Sequence, residues 1–530
     1  MTGGINGGEG ALLSPPSSSD ATAVGASDVG ESEGDGLGAR ASRVELDYEP
    51  RYQRFIVKKK SFTQQFSHVY NKRLLGLKAA VRQAAEKRWC KEGDEGNGVK
   101  FVDRLVNMKE GDQWVVIGTT YKAMKLRPSI LNEFREDRGI SMAVVVPVGS
   151  FTSEDDSLVL EDESGRVSIS GPGIQCDKLV SGMVIAVKGT VKGSGEMVVD
   201  DWCPAGLPPP VPPPSKKPTG SVLLVSGLQV GGRHDPLLVS LLVDFVAGYL
   251  GGAEDQEATS ARIGRVIVCG DSVAAPSAEL LSAGTGPSKR LNAEQQRLVA
   301  SPMKELDNIL ALLAAAAPVD VMPGESDPAN YTLPQQPLHP CLLRNASRFG
   351  SLKRVTNPHE AKIGGRVFLG SSGQPLKDME RYTTSETEAA DPENGAGAKP
   401  ACLRRLEETL EWRHMAPTAP ETLGCYPFVT EDPFIIEECP DVFFAGNQPQ
   451  FATSFLETPG SHKARMVCVP AFSSTGQAAL LDLETLECTP LNFSSAFGAG
   501  DDAVATDVKS AAPTENSSSS AMEVETAAAD

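Results

Sequence analysis

Histidine is scarce in this 530-residue chain: His68, His234, His339, His359, His414 and His462 are the six, and no two stand four residues apart. The ten cysteines are scattered without a Cys-x-x-Cys pair. The sequence therefore offers no helical metal motif, no zinc ribbon and no disulfide framework. Cys269 and Cys468 lie inside apolar runs, as buried free thiols in a reducing compartment do. Long hydrophobic runs are missing too, since nothing approaches the roughly 20 apolar residues that span a bilayer. The opening residues, Met1-Thr-Gly-Gly, have neither the basic region nor the apolar core of a secretory signal, so export is not expected. Positive charge is in deficit, with 50 Lys+Arg against 69 Asp+Glu and a net charge of −19. That balance argues against a chain that coats nucleic acid by itself.

Residues 1–43 and about 498–530 consist largely of Gly, Ser, Ala and acid. They read as disordered acidic tails, because so few large apolar side chains cannot offset the entropy of ordering. A similar patch at 383–400 reads as a flexible surface insertion. The stretch 51–90 inverts the charge: it carries eleven Lys/Arg against Glu86 alone. Such a stretch can meet DNA, an acidic partner or only solvent. Within it Phe62, Phe66, Val69, Tyr70, Leu74, Leu77, Val81 and Ala84 recur at helical spacing. Residues 44–111 are therefore expected to hold an amphipathic helix or helix pair with a basic outer face, its apolar stripe packed on the body.

From residue 112 to 205 the pattern changes to short strands: Trp114–Tyr121, Ala143–Val148, Ser157–Glu161, Arg166–Ser170, Met183–Val191 and Met197–Trp202, with a helix at Pro128–Glu136. Gly165, Gly171 and Gly193-Ser-Gly195 punctuate them as turns. Five or six strands in about 90 residues fit a small Greek-key barrel of the OB type. A single-strand DNA platform needs exposed aromatics beside a basic groove. These strands supply only Trp114, Tyr121 and Trp202, so protein binding is the better use of the surface. Residues 206–220, with Pro208-Pro-Pro-Val-Pro-Pro-Pro214, form a stiff linker, because proline fixes φ and removes donors.

Between residues 221 and 490 strands and helices alternate. The strands are Val222–Ser226, Val266–Gly270, Val319–Pro323, Val367–Gly370, Val442–Gly446, Met466–Val469 and Ala479–Leu483, and the helices include Pro236–Tyr249, Ala293–Ala317 and Cys402–His414. Runs of Val, Ile and Leu without alternation indicate sheets covered on both faces, hence a layered α/β domain.

Four of these strands run into loops with a common look: Val222-Leu-Leu-Val-Ser-Gly-Leu228, Val266-Ile-Val-Cys-Gly-Asp-Ser-Val-Ala274, Val319-Asp-Val-Met-Pro-Gly-Glu-Ser-Asp327 and Val442-Phe-Phe-Ala-Gly-Asn-Gln-Pro449. They resemble the stations at which calcineurin-like phosphoesterases place Asp, His and Asn around two metals. In that family the motifs are Asp-x-His, Gly-Asp-x-x-Asp, Gly-Asn-His-Asp and Gly-His-x-His. Here Ser226, Leu228, Ala274, Glu325, Ser326, Asn447 and Pro449 stand at ligand positions, and only Asp271 and Asp327 keep carboxylates. Two-metal hydrolysis needs each ion held by several hard or imidazole ligands. The resemblance thus implies a β-sandwich flanked by helices whose chemistry is lost, with no cofactor.

Barrel, linker and degenerate stations together resemble the B subunits of replicative DNA polymerases. The run Val319 to Cys341, with Pro-Gly-Glu-Ser-Asp-Pro-Ala-Asn-Tyr inside it, is very similar to the signature of the small subunit of DNA polymerase delta. So are Tyr121-Lys-Ala-Met124, Arg127-Pro-Ser-Ile-Leu131 and Pro417-Thr-Ala-Pro-Glu-Thr-Leu-Gly-Cys-Tyr-Pro-Phe428. The likeness covers roughly residues 44–490. It implies a non-catalytic nuclear scaffold in replication and repair synthesis, bridging the C-terminal domain of the catalytic subunit to a third, clamp-binding subunit and meeting DNA mainly through the complex. The competing readings are an active metal-dependent phosphodiesterase or nuclease, and the B subunit of polymerase alpha or epsilon. The proline-rich loop around Glu325–Pro340 can be a docking surface or internal packing, and Asp271 can simply accept backbone N–H groups at a strand end.

Overall fold

The computed structural model describes residues 42–61, 63–90, 100–127, 149–250, 254–276, 293–383, 399–457 and 463–494. The expected helix at Pro128–Glu136 and strand at Ala143–Val148 lie outside these, as do Phe62, His462, most of the 383–400 stretch and nearly all of both tails.

Strand β1 (Tyr48–Pro50) leads to helix α1 (Ser67–Trp89). Val69, Leu74, Leu77, Val81 and Ala85 form the buried face of α1, as the helical period requires. The segment is one helix, and two features depart from expectation. Phe66 is 46 % exposed, and Arg73, assigned to a basic outer face, is completely buried.

The next six strands are β2 (Phe101–Val102), β3 (Gln113–Ala123), β4 (Ser157–Glu161), β5 (Arg166–Ser170), β6 (Val184–Val191) and β7 (Met197–Cys203). They pair in the order β2-β3-β4-β5-β7-β6, and a β3–β6 pairing closes them into a barrel. Period-two alternation divides their side chains. Val116, Leu160, Ile169, Ile185 and Val187 join one core cluster, while Val115, Ile117, Val184 and Ala186 pack against α1. Strand β3 is buried on both faces because α1 covers its outer one. Met379, Tyr382 and Trp412 from later in the chain complete the first cluster, so barrel and following body share a core.

That body holds β8 (Ser221–Val225), α2 (Pro236–Ala247), α3 (Glu254–Arg262), β9 (Ile263–Cys269), α4 (Ala293–Ala316), β10 (Val319–Met322) and β11 (Leu352–Arg354). There follow β12 (His359–Ile363), β13 (Arg366–Ser371), α5 (Gln374–Met379), α6 (Ala401–Glu411), β14 (Val442–Gln448), β15 (Ala452–Glu457), β16 (Lys463–Pro470), α7 (Phe472–Thr475), β17 (Gln477–Asp482) and β18 (Cys488–Asn492). Two six-stranded sheets result, ordered β11-β10-β9-β8-β17-β18 and β1-β12-β13-β14-β16-β15. Both are mixed: β8, β9, β10 and β11 run parallel, as do β13, β14 and β16, and antiparallel strands flank them.

Alternate residues of one strand enter different cores. Leu223 and Val225 pack with α2 and α4, whereas Val222 and Leu224 meet Phe368, Phe444 and Val467 of the other sheet. Phe443 and Met466 then face α6. The layers run helices, sheet, sheet, helix. The proline-rich segment is strapped to this body rather than free: Arg413 donates to the Gly206 and Leu207 carbonyls at 2.7 Å each, and Cys439 N–H donates to Pro209 O at 2.8 Å.

Candidate functional site

The C-terminal ends of β8, β9, β10 and β14 converge, and what meets there is mostly backbone. Asn447 N–H donates to Ser226 Oγ at 2.9 Å, and that hydroxyl donates onward to the Val469 and Pro470 carbonyls. Gly227 N–H donates to Gly270 O, and Gln229 N–H to Asp271 O. Ser326 reaches Asp271 Oδ1 through its backbone N–H at 2.9 Å and through Oγ at 3.2 Å. Asp327 accepts from Val273 N–H at 2.9 Å and Gly324 N–H at 2.8 Å. Ser226, Asp271, Ser326 and Asp327 are engaged in closing the strand ends upon one another, while Asn447 Oδ1 and Ser272 Oγ are buried without a hydrogen-bond partner among the described residues.

Two glycines make the closure possible. A Cβ on Gly324 would overlap the Asp271 backbone nitrogen, and one on Gly446 would come within 2.6 Å of Cys269 O. Asp271 and Asn447 both sit in the left-handed region at φ 53°, which Asn and Asp tolerate better than other non-glycine residues but still at a cost.

Burial governs the electrostatics. Desolvation pushes the Asp327 carboxyl up to about 6, with the neighbouring Asp271 adding to the rise and backbone donors opposing it. Burial also raises Asp271, with Glu325 adding to the rise and Ser326 opposing it. Lys377 pairs with Glu325 at 2.7 Å on the exposed rim.

Of the positions the sequence singles out, Ser226, Asp271, Ser326, Asp327 and Asn447 are brought together. Leu228 is instead buried in the helix-side core. Ala274 N–H pairs with Val230 O, and Pro449 lies exposed beyond β14. Among the described residues no three His, Cys, Asp or Glu side chains are grouped to hold a metal. Ser372 belongs to the cluster and sequence reasoning missed it. Its carbonyl accepts from Asn447 Nδ2 at 2.9 Å, and its N–H donates to Asn357 Oδ1 at 3.0 Å. Its position two residues after the predicted strand Val367–Gly370 was the available signal. Asn357 Nδ2 in turn donates to Gln335 Oε1, whose Nε2 donates to Gly324 O. This wires the proline-rich loop to the cluster. Tyr331 stands on that loop 80 % exposed.

The arginines of the basic stretch pair within the chain, while Lys58, Lys59, Lys60 and Lys87 stand exposed. Arg51 and Arg54 pair with Glu360, Arg73 with Asp432, Arg82 with Glu86 and Arg88 with Asp201, so every arginine between residues 51 and 90 meets an acid of the same chain. The barrel aromatics are engaged likewise. Trp114 Nε1 donates to Lys109 O, Arg166 lies over the Tyr121 ring and Trp202 packs on the barrel core.

Sequence comparison agrees with this architecture. The family described as DNA polymerase delta subunit OB-fold domain matches residues 65–202, and the family of the B subunit of DNA polymerases alpha and epsilon matches residues 222–453. The DNA polymerase delta small subunit of Oryza sativa subsp. japonica is 37% identical over 459 residues, covering 86% of this chain and 100% of the relative. That of Arabidopsis thaliana is 36% identical, covering 86% and 97%. That of Saccharomyces cerevisiae is 32% identical, covering 81% and 89%.

Proposed function

This chain belongs to the DNA polymerase delta small-subunit family, and from that premise we propose that it is a non-catalytic scaffold of a polymerase delta complex. In this reading it fixes the C-terminal domain of the catalytic subunit and holds a third, clamp-binding subunit. It acts in the nucleus in replicative strand elongation and repair synthesis, and polymerisation belongs to the large subunit. Although one matching family is described by alpha and epsilon, the barrel match and all three relatives carry the delta name.

We assign the two-sheet body, residues 221–490, to a calcineurin-like phosphoesterase frame whose ligand positions have become Ser226, Leu228, Ala274, Ser326, Asn447 and Pro449, leaving Asp271 and Asp327. The observation that carries this is the closure of the strand ends: Ser226, Asp271 and Asp327 are committed to hydrogen bonds inside the chain, and glycine backbones fill the space between them. Strand ends are where α/β proteins build ligand sites. One sealed there presents a rigid outer surface instead, and Tyr331 on its wired loop is the exposed aromatic best suited to anchor a partner.

The test is purification of the tagged full chain from cells carrying its partners, with mass spectrometry and metal analysis of one eluate. Stoichiometric recovery of the polymerase delta catalytic subunit, with no metal attributable to this chain, is the expected result. A lone protein holding about two metal ions per chain and cleaving a phosphodiester overturns the scaffold reading.

A further inference from the structure

Helix α2 has the sequence Pro-Leu-Leu-Val-Ser-Leu-Leu-Val-Asp-Phe-Val-Ala and a single charged residue, Asp244. Val239, Leu242, Val243, Val246 and Ala247 are its buried positions. The remaining face of a surface helix is ordinarily polar. Here Leu237 is 39 % exposed, and Leu238 and Leu241 are half-buried. Beside it, between α2 and α4, runs a groove of about 390 Å³ lined by Val230, Val239, Val243, Ile309 and Leu312 and by the polar residues His234 and Ser240. Leu312 is 55 % exposed. The α2 positions 236, 239, 240, 243 and 244 and the α4 positions 305, 309 and 312 line it, one continuous stripe from each helix.

Two carboxylates belong to the same groove, Asp244 from α2 and Glu305 from α4. Among the described residues neither has an ion pair or a side-chain hydrogen bond. The lining contains one titratable nitrogen, on His234. Two like charges flanking a trough of mixed apolar and polar lining repel acidic segments and favour Lys or Arg at the rim.

We propose that the α2–α4 groove docks an amphipathic helix of a partner protein, with apolar anchors at i, i+3 or i+4 and i+7 bordered by Lys or Arg. The trough is flanked by two helices, and α2, at about 18 Å, is long enough to seat two to three turns laid alongside it, the helix-in-groove mode of recognition. This inference rests on the chain being an assembly subunit, and adds the surface and the chemistry of its occupant.

The test places benzoylphenylalanine at Leu312 of the full chain, expressed with its partners, and compares it with the same chain carrying Asp244→Lys and Glu305→Lys. The expected result is a crosslink to a Lys/Arg-bearing helical segment of another protein, reduced about fivefold by the charge reversal with the melting temperature unchanged. A crosslink to residues 277–292 of the same chain, to a second copy or to an acidic segment overturns the proposal, as does no crosslink or one indifferent to the reversal. The two readings fail separately. A preparation in which the catalytic subunit is present and no such crosslink forms overturns the groove alone. One without polymerase subunits overturns the scaffold reading, while the crosslink is still scored.

Discussion

Arg73 Nε donates to Asp432 Oδ2 at 2.9 Å with neither side chain exposed. The rest of the guanidinium donates to the carbonyls of Gly182, Pro417 and Ala419. One side chain on α1 thus joins the barrel, through Gly182, to the two-sheet body. Asp432 also accepts from Phe434 N–H and from His414 Nε2, and Arg73 and His414 hold its carboxyl far below the usual carboxylate range against the opposing effect of burial.

Removing one partner of a buried, hydrogen-bonded pair leaves the other uncompensated. Arg73→Met or Asp432→Asn should each cost about 3–5 kcal/mol, and the double variant clearly less than their sum. Denaturant unfolding measures this, and single losses below about 1 kcal/mol would contradict the linking role.

His414 should make stability fall in mild acid. Ala416 N–H donates to Nδ1 at 3.2 Å, so the ring proton resides on Nε2 facing Asp432. Burial, with Arg73 contributing, lowers the imidazole to about 4, against roughly 6.5 in the unfolded chain. The unfolded chain therefore binds the extra proton between these values. The stabilisation is complete above about 6.5 and declines by up to about 3 kcal/mol as pH falls toward 4. His414→Gln should flatten that part of a urea-midpoint profile.

Asp327 acts with the opposite sign. Its carboxyl is raised to about 6 in the fold and sits near 3.9 when unfolded, so the folded state holds the proton more tightly. Stability contributed here is present at low pH and is lost as pH rises from about 4 to 6, on the order of 3 kcal/mol. Asp327→Asn should abolish that decline, and a profile unchanged between wild type and variant would refute the assignment.

Placing a carboxylate at residue 226 should destabilise the chain. Ser226→Asp would set a buried negative charge against the Val469 and Pro470 carbonyls, which the hydroxyl now serves as donor. A loss of about 3 kcal/mol or more is expected, with no gain in manganese binding by calorimetry.

Gly324→Ala tests the sealed strand ends directly. The added methyl would collide with Asp271 backbone and carboxylate, so the β10 loop must shift at a cost of at least about 2 kcal/mol. An unchanged melting temperature would mean that the loops are looser than described.

Local chemistry was enough to read the long apolar strands, the barrel, the helices α1, α2, α4 and α6, and the strand-end positions Ser226, Asp271, Ser326, Asp327 and Asn447. Apolar period and turn residues carry those signals in contiguous sequence. Of the unread strands, β12 lies inside its sheet beside β13, whereas β1, β11, β15 and β18 are the edges of theirs. They are short or polar because only one neighbour and one side of the ladder hold them, and the partner that makes each a strand lies far away in the chain. The same non-locality hid Arg73, whose charge resembles that of its solvated neighbours until Asp432, 359 residues later, is placed beside it. Ser372 escaped notice because a serine after a strand is ordinary until Asn447 and Asn357 reach it. Sequence alone therefore determined which segments could form strands and helices and which loops follow them. The tertiary structure decided which charges are buried and how the strand ends close, since each depends on pairs of residues that only folding brings within reach.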